Sequence, residues 1–380
     1  MSIFQVYIIL IIINIAYGIF VSIKNVSYNV TIRGFKIFNL DNLLGIVLLI
    51  DILYIAITSK NIADMDTYEM LYNTGSTALE QGYILLTYIG RSLGFDYVTF
   101  RSLLYITCYL LIWIGLRRLR INVNLVLGLY AIYPFTMDVI QIRNLLATSI
   151  IIFSIPWLCS EKKGNTIKFI IGVIMAALIH RLAIVYLVLL LAKEGSNEVL
   201  RKRLMSTLVA LSFLLALIMR IAPGTVQVVI NFLMSINRER TMAYTQVLLR
   251  WGFLLFWAME LLYVFSSKIL VDGMKNEIIT ADNDNCLILH KIDVINLIYW
   301  VNLCCCCFLP LLMININFYR IYRDISLVNY MQLPFLLGLQ DKQRKWIVII
   351  IFLVALILNI SQNIGLAPED VYYPIFGILK

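Results

Sequence analysis

Residues 3–23 read IFQVYIILIIINIAYGIFVSI, a stretch without one charged side chain. A helix needs about 20 residues of apolar sequence to cross the hydrocarbon core of a bilayer. The stretch is too long for the apolar core of a signal peptide, and no small-x-small cleavage pattern clearly follows it before Lys24. It therefore predicts a first membrane-spanning helix that is retained in the protein.

The composition extends this prediction to the whole chain of 380 residues. Hydrophobic residues make up 61% and charged residues 14%, and the mean hydropathy is +0.88. Because soluble domains are about half apolar and about a quarter charged, an integral membrane protein is indicated and no soluble catalytic domain fits beside the spans. The net charge of +9 is therefore a signal of membrane topology, and nucleic acid is not expected as a partner.

Apolar windows bounded by charged or turn residues predict an all-α, polytopic membrane protein with about 12 transmembrane helices, which form a single transmembrane domain over residues 1–380. The windows 181–192 and 326–339 are the shortest for a full span. The predicted spans are 3–23, 43–58, 97–116, 122–137, 139–158, 167–180, 181–192, 204–221, 247–266, 291–314, 326–339 and 346–362.

Basic residues are distributed unevenly over the segments between these spans. Nineteen of the 31 Lys and Arg residues fall in alternate segments that share one side of the membrane. The positive-inside rule makes that side cytoplasmic and places both termini outside. The outer loop 59–96 contains an apolar piece, residues 82–93, which predicts a short interfacial or re-entrant helix.

Five cationic or titratable side chains then fall at the outer side, where the charge rule does not predict them. They are Arg143, His180, Arg181, Arg320 and Arg323. A guanidinium presents a planar donor fork that suits phosphate, so the sequence predicts an outer-face site for an anionic ligand, most naturally a lipid diphosphate. The alternative is that Arg143 and Arg320 pair with Asp138 and Asp324 or reach the interface as anchors.

Candidate general bases share this outer side. The neutral imidazole of His180 can accept a proton from a sugar hydroxyl near pH 7; the alternative is a histidine that caps a helix or is hydrogen-bonded in the core. The carboxylates of Asp64, Asp66 and Glu80 are further candidates, against the alternative of a solvated acidic loop.

A metal site is not predicted from the cysteines. The seven cysteines lack the spacing of zinc ligands. The run from Cys304 to Cys307 occupies four successive positions of a helix, so its side chains point in all directions around the helix axis. This favours thiols that act as apolar, lipid-facing side chains over a metal site.

Several short motifs follow one another in the order found in a known family. They are Asp64-x-Asp66-x-Tyr68, Glu80-x-Gly82-Tyr83, Ile142-Arg143-x-x-x-Ala147, Ala177-x-x-His180, the stretch from Asn317 to Arg323, and Tyr373-Pro374. From about residue 60 to the C-terminus, the chain resembles the EpsG-type family of Wzy-like polysaccharide polymerases.

The resemblance implies a membrane glycosyltransferase of a bacterial cell membrane, which acts in exopolysaccharide, capsule or O-antigen assembly without a metal or cofactor. Its substrates would be oligosaccharide repeat units on undecaprenyl diphosphate, joined at the outer leaflet among membrane lipid. A chain-length regulator and a flippase would be its partners.

The same resemblance implies roles for the outer-side residues. Arg143, Arg320 and Arg323, with Arg181 beside them, would bind the diphosphate. His180 or one of the outer carboxylates would deprotonate the acceptor. Sugar rings would stack on the outer tyrosines, which are Tyr68, Tyr72 and Tyr83.

Two other functions are alternatives for a polytopic membrane protein of this composition. A flippase for the lipid-linked oligosaccharide requires charges along a central cavity, whereas the spans here are almost uncharged apart from Asp51, Arg101, Arg250 and Glu260. A membrane acyltransferase that modifies the glycan would carry an early His-Arg arrangement, which is missing from the first spans.

Overall fold

The structure, a computed structural model, contains two compact units. Unit 1 comprises Met1–Leu158, Lys162–Leu187 and Tyr330–Lys380, and unit 2 comprises Cys159–Glu161 and Val188–Asn329. The single transmembrane domain stays a prediction. The described residues are 2–24, 29–32, 35–60, 62–76, 79–159, 163–192, 198–222, 224, 227–228, 231, 252–281, 285–339, 342–366 and 371–376.

Helices make up nearly all of the described chain, as the sequence predicts. The α-helices, numbered α1 to α18 in chain order, are Ile3–Lys24, Leu40–Thr58, Met65–Thr74, Gln81–Ser92, Tyr97–Arg118, Val123–Ile132, Phe135–Ile140, Ile142–Ser154, Lys163–Ile179, Glu198–Ile221, Gly252–Ala281, Asn285–Cys306, Leu309–Ile314, Arg320–Asp324, Ser326–Tyr330, Leu333–Leu337, Lys342–Leu366 and Tyr373–Phe376.

A few elements are not α-helical. Short 3-10 helices lie at Ile155–Trp157 and Ile316–Tyr319, and a longer one at Arg181–Ala192. A small antiparallel hairpin joins α1 to α2, in which β1, Asn29–Ile32, pairs with β2, Phe35–Asn39.

Five helices of the described residues are long and apolar enough to cross a membrane. They are Ile3–Lys24, Tyr97–Arg118, Arg201–Ile221, Leu254–Met274 and Gln343–Ser361. Shorter apolar helices accompany them, among them Asn42–Thr58 and Gly164–Ile179. The chain is therefore an integral membrane protein, but the predicted count of 12 spans is not confirmed. The first residues of the predicted span 247–266 lie outside the described residues.

Four predicted spans are interrupted: 139–158 divides between α7 and α8 at Gln141, and a proline stands at the break in each of the other three. The window 122–137 divides between α6 and α7 at Pro134, and 291–314 divides between α12 and α13 just before Pro310. The window 326–339 contains two five-residue helices, the second with Pro334 in its first turn. Proline has no N–H to continue a helix but fits in its first turn. Hydropathy does not detect this effect, so it predicted one span where the backbone forms two helices.

The predicted span 181–192 is also not an α-helix, because Arg181–Ala192 forms a 3-10 helix. Such runs rarely exceed about four residues, since their hydrogen bonds are less well aligned. The rise of about 2.0 Å per residue stretches the segment beyond the length that an α-helix would give it.

Close packing of α8 against α5 involves the C-terminal part of α8 in unit 1. A Cβ on Gly115 of α5 would lie 2.8 Å from the backbone oxygen of Ile152 in α8, so a larger residue would force the helices apart. This contact fixes the helix whose second residue is Arg143.

Unit 2 is tied together by a buried polar network. The Glu260 carboxylate of α11 accepts hydrogen bonds from Ser326 Oγ and Asn329 Nδ2, both at 2.8 Å. Asn302 Nδ2 of α12 donates to Asn329 Oδ1 at 2.6 Å. The network therefore links three helices through side chains that are almost fully buried.

The cysteine run at the end of α12 does not face lipid. Cys304 and Cys305 are 0% exposed, Cys306 is 2% exposed and Cys307 is half-buried, so the prediction of lipid-facing filling is wrong for the first three. A thiol behaves as a small apolar side chain, which fits these positions in the interior of unit 2.

Candidate functional site

Arg143 is the centre of the candidate site in unit 1. Its Nη1 donates to Glu80 Oε2 at 2.5 Å, and its Nε donates to Tyr68 Oη at 2.9 Å. The Arg143 and Glu80 side chains are 19% and 11% exposed. The alternative pairing with Asp138 is not observed, since Asp138 accepts from Tyr130 Oη at 3.0 Å.

The Asp64-x-Asp66-x-Tyr68 motif forms the start of α3, the helix that carries Tyr68. Asp64 has a left-handed backbone conformation, with φ of 64°, and its carbonyl accepts the Tyr68 N–H at 3.0 Å. A non-glycine residue in this conformation is uncommon, although aspartate tolerates it better than most. Asp64 and Asp66 are both exposed, so the motif contributes a helix start and two solvated carboxylates.

Glu80 is the N-cap residue of α4, yet its carboxylate does not cap the helix. The Glu80 carbonyl accepts the Ile84 N–H at 2.9 Å, and its side chain makes no capping hydrogen bond. The carboxylate instead pairs with Arg143 from a position one residue before the first helical turn. The second motif therefore supplies the partner of the arginine.

Tyr83 packs behind the Arg143–Glu80 pair. It is 2% exposed, and its ring centroid lies 6.3 Å from that of Tyr68 and 5.9 Å from the guanidinium carbon of Arg143. Burial raises the pKa of Tyr83 well above its usual range, so it stays a neutral phenol beside the cation.

Two of the three tyrosines predicted to stack on sugar rings are buried, and sugar stacking stays a prediction. The Tyr83 ring lies in the interior, and Tyr72 is 3% exposed and stacked on Phe100. Tyr72 Oη donates to the Phe95 carbonyl at 2.9 Å. Both rings support α3 and α4, and only Tyr68 of the three is half-buried.

The end of α9 lies against the start of α4. A Cβ on Gly82 would lie 2.8 Å from the backbone oxygen of Leu178, two residues before His180. The His180 N–H donates to Ala176 O at 2.8 Å, and the His180 carbonyl accepts the Ala183 N–H at 2.9 Å. The half-buried His180 thus stands where α9 changes to the 3-10 helix, whose first residue, Arg181, is exposed.

Arg320 and Arg323 belong to unit 2. Both lie on the short helix α14, where Arg320 is half-buried and Arg323 is 5% exposed. Arg323 Nη2 lies 3.5 Å from the Asp324 carboxylate. Their role in binding an anion stays a prediction.

Arg101 makes backbone contacts that the sequence did not predict. This residue of α5 is 2% exposed, and its guanidinium donates to backbone carbonyls at the end of α2. The available signal was a cation in the second turn of an otherwise apolar span, where a charge is energetically costly and therefore points to a function.

Among the described residues, no group of three or more His, Cys, Asp or Glu side chains is arranged to hold a metal ion. The chemistry available in unit 1 is therefore a partly exposed guanidinium, with carboxylates and an imidazole on adjacent elements.

The comparison with protein families identifies a family that covers most of the chain. The model of the EpsG family matches residues 41–374, which is most of the chain, and confirms the resemblance seen in the motifs. No curated protein and no solved structure matches the chain.

Proposed function

Because the chain belongs to the EpsG family, we propose that it is a membrane glycosyltransferase that joins oligosaccharide repeat units carried on undecaprenyl diphosphate. The family makes the chain a polymerase-type membrane protein of exopolysaccharide assembly. The proposal adds the substrate, the leaflet and the residues. We place the reaction at the outer leaflet of a bacterial cell membrane.

The single observation that supports the proposed chemistry is the state of the Arg143 guanidinium. Glu80 and Tyr68 engage Nη1 and Nε, whereas Nη2 makes no hydrogen bond to the described residues. The side chain is 19% exposed, which leaves a route to an anion. An oriented guanidinium with free N–H groups is suited to a phosphate oxygen.

In the proposed reaction, the hydroxyl oxygen of the new unit's non-reducing sugar attacks the anomeric carbon of the growing chain. A glycosidic C–O bond forms, and the bond from that carbon to the phosphate oxygen breaks. Undecaprenyl diphosphate leaves with the bonding electron pair. Arg143 stabilises the charge that develops on the phosphate oxygen, an effect that is large in a site shielded from water.

The acceptor proton must pass to a base, and we assign this role to His180. Glu80 already accepts from Arg143, and Asp64 and Asp66 are exposed to solvent. The end of α9 packs on α4 next to Glu80, which brings the His180 segment to the same part of unit 1. The three carboxylates are the alternatives that substitution would distinguish.

Three further arginines and two partner proteins are also part of the proposal. Arg181 is an exposed cation next to His180 and is proposed to contact the lipid-linked substrate. Arg320 and Arg323 are proposed as further phosphate ligands because of their place in the family motif. A chain-length regulator and a flippase are proposed as partners in the cell.

The function is tested by asking where unused substrate accumulates. Cells that lack the gene are complemented with the wild-type chain, with Arg143→Ala, or with Arg203→Ala as an exposed arginine control. We expect long polymer from the wild type and the control. Arg143→Ala should accumulate single lipid-linked units at the outer leaflet, whereas inner-leaflet accumulation would identify a flippase and overturn the proposal.

A further inference from the structure

Arg101 is a buried cation that holds backbone carbonyls. Its Nη2 donates to the carbonyls of Ser59 at 2.8 Å, Ile57 at 3.1 Å and Ala56 at 3.4 Å. Its Nη1 lies 3.0 Å from Met65 Sδ. These contacts join α5 to the end of α2 and to the first residue of α3.

No carboxylate of the described chain forms an ion pair with Arg101. The charge is offset by the carbonyl end of α2, where the helix dipole is negative. Cations at this position commonly bond the last carbonyls of a helix. A planar fork suits several divergent acceptors better than the single ammonium of lysine.

The segment that Arg101 holds leads directly to the candidate site. Ser59 and Met65 lie on either side of the Asp64 turn, and Tyr68 follows in the first turn of α3. Tyr68 then accepts from Arg143 Nε at 2.9 Å. Arg101 and Tyr68 also line one small recess together with Ile142, the neighbour of Arg143.

We propose that Arg101 is a positioning residue, which places Tyr68 so that it orients Arg143. The inference rests on the proposed polymerase function. Arg101 contacts the chain on both sides of the turn, whereas Tyr68 contacts the functional guanidinium. Loss of the Arg101 fork would let α3 shift relative to α8, and a displacement of about 1 Å can cost a catalyst up to about 10²-fold.

A double-mutant cycle separates positioning from a general structural role. The variants are Arg101→Lys, Tyr68→Phe and the pair, in the full chain reconstituted into vesicles. The substrate is the lipid-linked unit extracted from cells that lack the gene. Tyr68→Phe keeps the ring and removes the hydroxyl that Arg143 bonds.

We expect Arg101→Lys to lower kcat/KM about tenfold or more in the wild-type background, because the site is displaced. In the Tyr68→Phe background, the same change should have little further effect, because the link it acts through is already absent. Equal fold-losses in both backgrounds would overturn the proposal. A wild-type chain that makes no polymer would instead refute the proposed function.

Arg118 provides a matched control on the same helix. Its Nη1 donates to the Phe153 carbonyl at 2.8 Å, so it also anchors α5 to a backbone oxygen, but at the opposite end of the helix. Arg118→Lys should leave kcat/KM unchanged. An equal loss from Arg118→Lys would mean that any anchor of α5 matters and would contradict the special role of Arg101.

Met65→Leu covers the case in which Arg101→Lys does not fold. It removes the sulfur contact and keeps the buried volume nearly constant. The inference predicts a reduced kcat/KM with an unchanged thermal unfolding midpoint. Wild-type kcat/KM in a folded Met65→Leu variant would overturn it.

Discussion

Arg143 Nη1 lies 2.5 Å from Glu80 Oε2, across 63 residues of sequence, and joins the start of α8 to the N-cap of α4. The pair is only partly exposed, so its charge-assisted hydrogen bond is stronger than one in open water. Tyr68 fixes the same guanidinium from α3. Three sequence motifs thus meet at one cation.

Glu80 is expected to orient Arg143, which substitution by glutamine and alanine tests. Glu80→Gln keeps an oxygen that accepts from Arg143 Nη1 and should retain most polymer synthesis, whereas Glu80→Ala should lose it. The measurement is polymer yield at equal protein level. Glu69→Gln, on α3, is the control for loss of one carboxylate.

Loss of activity in Glu80→Gln comparable to that in Glu80→Ala would point to a chemical role for the carboxylate. The base would then be Glu80, and the assignment to His180 would be withdrawn.

Asp64 is expected to act through its backbone conformation. Asn and Gly both adopt positive φ readily, so Asp64→Asn and Asp64→Gly should stay active. Asp64→Ala should lower the unfolding midpoint, because alanine lacks the short polar side chain that lets Asp and Asn tolerate the left-handed conformation. Inactivity of a well-folded Asp64→Asn variant would show instead that the charge is needed.

Gly82 is expected to be essential for the approach of α4 to α9. Its added Cβ would meet the Leu178 carbonyl at 2.8 Å, so Gly82→Ala should displace the start of α4 and reduce polymer yield. Gly164→Ala on α9 is the control, since a Cβ there meets no described atom within 4 Å. Normal polymer from Gly82→Ala would mean that the two helices tolerate separation.

The sequence predicted much of the helical framework and less of the site. The long apolar windows at 3–23 and 97–116 match α1 and α5, because hydropathy reports length and lipid exposure directly. The breaks at Pro134 and Pro310 were missed because both prolines lie inside apolar runs. A hydropathy window averages side-chain polarity and therefore does not detect that proline lacks the backbone N–H that continues a helix.

The pairing of Arg143 was not predictable from local sequence. Asp138 is nearer in the chain, but it accepts from Tyr130, whereas Glu80 reaches Arg143 across 63 residues. The burial of Tyr83 likewise depends on tertiary contacts, with the rings of Tyr68 and Phe100. The role of Arg101 depends on where α2 ends, which a single sequence places only to within a few residues.

His180→Gln tests the proposed base. Removal of a general base typically costs about 10²-fold or more, so polymerisation should fall by at least that factor while lipid-linked units accumulate at the outer leaflet. Parallel Asp64→Asn and Asp66→Asn variants serve as comparisons. Wild-type activity in His180→Gln would transfer the role to a carboxylate.

The most direct test of the polymerase function is reconstitution of the purified chain alone. Vesicles would contain the chain and the lipid-linked repeat units that accumulate in cells lacking the gene. The account predicts a ladder of glycan lengths and release of one undecaprenyl diphosphate for each bond formed, with Arg143→Ala giving neither. Movement of the units across the bilayer without any new glycosidic bond would contradict it.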